Sequence, residues 1–381
     1  MKESKEKTGL RSDVVTLYQG GAYHLYRYKR YDDVRIVFAP EQQMAFYGGD
    51  PDNFEYPRFD FDICIFRAYE NGQPAKIDDY LKWNSKGPAD GELTFVSGSP
   101  GRTDRQLSVD EMADRRDREV PKWLRMFNRR EVMLMAWGQR SFENARRCRD
   151  DLFGDQNNRK RYDGYIAALL DPETWSAIEI REKKLLDAIS RDPKLRSTLS
   201  AYDRIKKAQA ELVKSAQRYD FLEQERPISV GYRGPRAFYG TLFKYARLLT
   251  RAVDEWAKPN GERIPTFRDS ARESLELELY STEPVYDDYE ILRLTDSLTD
   301  FAEKFGAADP LVKQVLAGKS PRARAVELVS GTKLKDVAIR KSLYGEDGAA
   351  LPAAQDLMPD VARMVDAPSP EVPKVPEAKA G

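Results

Sequence analysis

Histidine occurs once in 381 residues, at His24, and cysteine twice, at Cys64 and Cys148. Two cysteines so far apart build no disulfide scaffold and offer neither a CxxC pair nor zinc-ligand spacing. Both are read as ordinary buried or half-buried residues, and no metal or organic cofactor is indicated. The lone histidine leaves a single candidate for the usual general base at neutral pH. Charge of one sign is also lacking. Lysine and arginine total 63, as do aspartate and glutamate, so the net charge calls for no nucleic acid partner. No apolar run approaches the roughly 18 residues of a membrane-crossing helix, so no membrane partner is expected. The opening stretch, MKESKEKTGLRSDVV, is polar and basic and lacks the roughly 7–15-residue apolar centre of a secretory signal. As written, the chain is expected in the cytoplasm.

What is present points to an α+β, multi-domain chain. At about 150 residues per domain the length allows two or three units, and 33% charged against 41% apolar residues suits long, charge-laced helices. Strand patterns fill the first hundred residues. Val14–Tyr18 turns through Gln19-Gly20-Gly21 into Tyr23–Tyr28, where aromatic and polar residues alternate, a hairpin pattern. Val34–Phe38, Phe61–Arg67 and Leu93–Val96 read as further strands. With short turns and no helices between them, an antiparallel barrel or sandwich is expected over 1–105.

Beyond Gln106 the periodicity becomes helical. Trp123, Leu124, Phe127, Val132, Leu134, Met135 and Trp137 recur at three- and four-residue steps. Helices are expected at Tyr162–Ile189, Ser197–Glu223, Pro235–Trp256, Asp269–Tyr280 and Asp287–Phe305. Shorter ones follow at Pro310–Leu316, Pro321–Ser330 and Lys335–Tyr344. With no fixed repeat, 106–347 reads as a helical bundle. Residues 348–381 read as a mostly disordered alanine- and proline-rich tail with one amphipathic piece at Leu357–Val365.

Generic catalytic signatures are missing: there is no HExxH, no dinucleotide fingerprint, and Gly318-Lys319-Ser320 lacks its phosphate-loop glycine because residue 313 is lysine. Ser97-Gly98-Ser99-Pro100-Gly101 shares the glycine-flanked serine of serine hydrolases but reads more simply as a turn leaving a strand, and His24 as a strand residue. The segment 48–67, GGDPDNFEYPRFDFDICIFR, is different. Asp50, Asp52, Glu55, Asp60 and Asp62 lie among aromatics, prolines and glycines at the entry of an apolar strand. Strand alternation would place Asp62 with Cys64 and Phe66 on one apolar face, and Ile63 and Ile65 on the other. A carboxylate so placed needs a partner, which leaves a salt bridge to Arg58 or Arg67 and a functional carboxylate both open.

The run from Tyr26 to Glu41, the 48–67 segment and Gly98-Ser99-Pro100-Gly101-Arg102-Thr103 together resemble the bacterial dipeptidyl-peptidase 7/11 family of serine peptidases. The helical part is similar too, notably around Leu311–Pro321 and Glu327–Leu334, and the similarity runs from Asp13 to about Asp366. The resemblance implies a chymotrypsin-like double barrel with a helical domain inserted between the barrels. It also implies a homodimeric, periplasmic enzyme that releases dipeptides from the free N-terminus of peptides through a histidine–aspartate–serine triad. Residue by residue, it makes Asp62 the triad aspartate. Asn53 matches the residue binding the substrate's α-amino group, Phe54 stands where many members have tryptophan, and Asn157 is the candidate second amine-binding asparagine.

The same resemblance puts the family's histidine upstream, in a segment with adjacent histidines, and its serine in a Gly-Asn-Ser-Gly turn after the helical domain. His24 falls on a family strand and Ser99 on the Pro-Gly-Arg-Thr turn, while Phe59-Asp60-Phe61 replaces a frequent His-Thr-Gly. The chain is therefore expected to be a central fragment: the second half of the first barrel over 1–105, then the helical cap. It would be inactive alone for want of nucleophile and base. The other expectation is a non-catalytic peptide-binding or partner-capping protein derived from that family.

Overall fold

Aromatic and β-branched residues at period two make the first strands. The computed structural model describes residues 2–17, 21–95, 106–222, 238–345 and 356–366. After a short helix α1 (Lys2–Thr8), strands β1 (Arg11–Leu17) and β2 (Ala22–Tyr28) pair antiparallel, with Val15 opposite His24. Strand β3 (Asp33–Phe38) leads to a single helical turn, α2 (Gln42–Ala45). It pairs antiparallel with β4 (Ile65–Glu70), with Ile36 opposite Phe66, and β4 pairs with the two-residue β5 (Gln73–Pro74).

Among the described residues the strands form two separate sheets, in the orders β1-β2 and β3-β4-β5, and no closed barrel. All six residues of β3 are exposed, including Val34, Ile36, Val37 and Phe38, so neither face is covered by a second layer. Two strand expectations are corrected. The strand expected at Phe61 starts at Ile65, because the Phe61 amide donates to the Met44 carbonyl at 2.9 Å and holds the approach to β4 against α2. Residues 93–95 form no strand, and the turn at Ser97–Gly101, with Ser99, lies outside the described residues. Cys64 is exposed rather than buried, and Cys148 is buried.

Every buried apolar side chain of the described residues lies at Val120 or beyond. Helix α3 (Val109–Asp114) opens with a capping box in which Ser108 and Glu111 satisfy each other's amides. It runs through one π-helical segment, Arg115–Glu119, into α4 (Val120–Gly138). Helix α5 (Phe142–Leu170) follows, then α6 (Pro172–Arg191). The helical stretch expected from Tyr162 to Ile189, with a break at Asp171-Pro172, is the end of α5 and most of α6, parted at Asp171. Its carboxylate caps the new N-terminus at Thr174, and Pro172 fits the first helical position.

Helices α7 (Ser200–Leu222), α8 (Thr241–Trp256), α9 (Arg272–Leu279), α10 (Asp287–Phe305), α11 (Pro310–Leu316), α12 (Pro321–Gly331), α13 (Val337–Tyr344) and α14 (Leu357–Asp366) complete the chain. Their main core joins Phe238, Phe243, Leu249, Leu298, Phe301, Leu328 and Val361. Met358, Val361, Ala362 and Val365 of α14 belong to it, so the packed helical region reaches residue 366 rather than ending at 347. Asp366 is held there by ion pairs at 2.9 Å with both Arg247 and Arg251 of α8.

Helix α4 is tied to α10 by charge, with Arg129 reaching Asp296 at 2.6 Å and Glu303 at 2.7 Å. Its apolar side meets α5 and α10 in a second cluster of Leu134, Trp137, Cys148 and Tyr289. Glu290 of α10, buried, accepts from the amides of Thr241 and Leu242 at 3.1 and 2.9 Å and from Arg293. It thereby caps the first turn of α8, which has no capping side chain of its own.

Candidate functional site

The segment between α2 and β4 owes its shape to residues that tolerate left-handed backbone. Tyr47 and Gly48 have φ of +51° and +78°, Gly49 has +129°, and Phe54 has +64°. The glycines take these values without strain. A 3₁₀ turn over Asp50–Asp52, with Pro51 preset for it, lets the Asn53 amide donate to Asp50 O at 3.0 Å. Asn53 is 3% exposed, whereas Phe54, the next residue, stands out at 53%. The loop is laid on the helical part by Phe46, whose ring stacks on Phe153 of α5 at 4.8 Å between centroids.

Helix α5 meets this loop with one face. Asn53 Nδ2 donates to Asn157 Oδ1 at 3.0 Å, a bond between residues 104 apart in the chain. Arg58 approaches Asn53 Oδ1 at 3.5 Å and lies over the Tyr47 ring. Lys160, one turn beyond Asn157, donates to the carbonyls of Asp50, Pro51 and Asn53. Arg159 binds Glu131 of α4 and Asp163, and reaches Asp50 Oδ2 at 3.7 Å. Burial opposes the Arg159 charge, yet the hydrogen bonds to Glu131 and Asp163 outweigh it and raise its pKa. Asp50 Oδ1 is buried and accepts no hydrogen bond among the described residues.

A carboxamide oxygen has two lone pairs. Among the described residues, Asn157 Oδ1 spends one on Asn53 and Asn53 Oδ1 has only the long approach of Arg58, so both keep capacity to accept. Spare lone pairs on these two linked carboxamides suit a donor such as an ammonium group. The sequence reasoning named Asn53 and Asn157 only through the family resemblance. It missed Lys160, although a lysine three residues after an asparagine on one helix shares its face.

Asp62 is placed differently from the expectation. It lies before β4 and is exposed, in a tight turn in which Ile63 N donates to Phe61 O at 3.0 Å. Exposure removes the need for a charged partner: no ion pair joins Asp62 to Arg58 or Arg67 among the described residues. Arg58 turns instead to Asn53 and Tyr47. His24 is on β2, with its ring edge-on to Tyr26. No group of three or more metal-ligating side chains occurs among the described residues, and no helix there is long and apolar enough to cross a membrane.

The described residues are mostly helical with small antiparallel sheets, and a Gly-Gly-Asp loop is docked on a long helix. The peptidase S46 family model matches residues 1–376, and the chain belongs to that family. It is 28% identical over 264 residues to an Asp/Glu-specific dipeptidyl-peptidase of Shewanella putrefaciens, a match covering 66% of this chain and 34% of that protein. It is 32% identical over 120 residues to dipeptidyl-peptidase 7 of Phocaeicola vulgatus, covering 29% and 17%. The chain therefore spans about a third or less of the length of these relatives. A crystal structure of Porphyromonas endodontalis DPP11 in complex with the dipeptide Arg-Glu matches 97% of this chain and 53% of its own, with a TM-score of 0.65 at 19% identity. This last match shows a shared fold.

Proposed function

We propose that this chain supplies the amine-binding end of a serine-type dipeptidyl-peptidase site, where Asn53 and Asn157 receive the free α-amino group of a peptide. The observation that carries this reading is the 3.0 Å bond between two carboxamides 104 residues apart, one on the Gly-Gly-Asp loop and one on α5. Membership of a peptidase family whose relatives are named dipeptidyl-peptidases supports it. Phe54, exposed beside Asn53 on a left-handed backbone, would pack against the first substrate residue. Asp62 would orient a histidine and stabilise its imidazolium. The chain's one histidine sits in the β1–β2 hairpin, and the reading gives it no triad role. The two sheets would then be part of a chymotrypsin-like barrel, and residues 106–366 its helical cap.

Calorimetric titration with Arg-Glu and N-acetyl-Arg-Glu tests the reading. The free dipeptide should bind at least about tenfold more tightly than its acetylated twin, and Asn53→Ala should erase the difference, since a hydrogen bond to a charged group is worth about 1.5–3 kcal/mol. Equal binding of the two peptides would overturn it. The exposure of Asp62 favours a second reading, peptide binding without hydrolysis. Release of dipeptide by the chain alone, lost in Asp62→Asn, would exclude that reading.

A further inference from the structure

We propose that Lys160 is a positioning residue that sets Asn53 against Asn157 by gathering the backbone of the Gly-Gly-Asp loop. An ammonium group has three N–H donors and no acceptor. Here it meets three carbonyls of one loop, those of Asp50, Pro51 and Asn53, the last two at 3.1 Å. Its stem is on the same face of α5 as Asn157, three residues earlier. One turn of one helix therefore holds both the partner of the Asn53 side chain and the anchor of the Asn53 backbone. The loop needs such an anchor. Its own backbone hydrogen bonds are all local, Gly48 N to Gln43 O, Gly49 N to Phe46 O, Asn53 N to Asp50 O and Glu55 N to Asp52 O, and its backbone turns through left-handed conformations at Gly48, Gly49 and Phe54. Carbonyls that converge on one point repel one another unless a cation sits between them. Lysine is suited to this because its charge is compact, whereas the planar guanidinium of arginine spreads its donors in a fork.

The proposal rests on the reading of Asn53 and Asn157 as the amine site, and two measurements separate the two ideas. Hydrogen exchange at the amides of Asn53 and Glu55 needs no peptide. Lys160→Met should speed it at least about tenfold, because exchange reports local opening, while exchange in α8 and α10 stays as in the wild type. Unchanged exchange at Asn53 and Glu55 would overturn the proposal. Titration with Arg-Glu then asks whether the anchor matters to the ligand. Lys160→Met should weaken binding at least about tenfold, Lys160→Arg should recover only part of it, and Lys160→Met with Asn53→Ala should be no weaker than Asn53→Ala alone. Losses that add in the double variant would overturn the proposal. If wild-type protein shows no preference for the free amine while exchange still rises in Lys160→Met, the amine reading falls and the anchoring role stands. Should Lys160→Met not fold, Lys160→Gln carries the same test.

Discussion

Phe46 and Phe153 lie ring on ring, their planes 17° apart and their centroids 4.8 Å apart, and this stack joins the loop after β3 to the middle of α5. Each residue comes just before a part of the site in the chain: Phe46 leads into Gly48-Gly49-Asp50, and Phe153 is one helical turn before Asn157. Phe46→Ala should cost about 1–2 kcal/mol, the share of a half-buried aromatic pair, and should loosen residues 47–58 more than the helices. Urea unfolding and hydrogen exchange check this; equal loosening everywhere would assign the stack to global stability alone.

Glu290 is the hinge between α8 and α10. Its carboxylate accepts two amides of α8 and one guanidinium, so its removal leaves the first turn of α8 without its acceptor and leaves Arg293 to Asp151 at 3.3 Å and the Thr241 hydroxyl at 2.9 Å. Glu290→Ala should destabilise by about 3–5 kcal/mol, as expected when one member of a buried charged network is deleted. Gly240→Ala should also destabilise, because a Cβ there would meet Glu290 Oε2 at 3.0 Å. Chemical unfolding of both variants gives the comparison.

Asp366 closes the helical part. Paired with both Arg247 and Arg251, it anchors the last turn of α14, whose Val361 and Val365 are buried. Asp366→Ala should cost about 3–5 kcal/mol, because it leaves the buried Arg247 charge short of an anion. Thermal unfolding should show a single lowered Tm if α14 belongs to the same cooperative unit, and a separate early transition if it does not.

Alkaline pH should weaken the helical core through its tyrosines. Burial pushes the Tyr344 phenol up to about 12, against an ordinary value of 10.0, and raises those of Tyr239 and Tyr245 as well. The unfolded chain releases these protons first, so between about pH 10 and 12 it binds fewer protons than the folded one, and stability falls as pH rises. Below about pH 10 this contribution is fully present. Tyr344→Phe should lose less stability across that window, as followed by unfolding and tyrosinate absorbance in parallel.

Helices with strong punctuation were legible in the sequence. Asp309-Pro310 and Ser320-Pro321 combine a capping side chain with proline at the first helical position, and α10 ends before Gly306 at φ +81°. The first half of α5 was not legible, because FENARRCRDDLFGDQNNRKR has too few apolar residues for a helical period to show. It is helical because Cys148 and Asp155 are buried in the packing around α4 and α10. The strand expected at Phe61 failed because a hydrogen bond to α2, invisible to alternation, takes the Phe61 amide out of the ladder while its ring stays edge-on to Phe38 of β3. Asn53 and Asn157 came from family resemblance, and no local pattern could have joined residues 104 apart.

The placement of a peptide's amino group between Asn53 and Asn157 is tested most directly by the side-chain amide signals of those two residues in ¹⁵N-asparagine-labelled protein titrated with Arg-Glu. Both carboxamide signals should move together with the same saturation curve, and neither should move with N-acetyl-Arg-Glu. Shifts that are the same for both peptides, or that leave Asn53 and Asn157 still while other residues respond, would contradict the assignment.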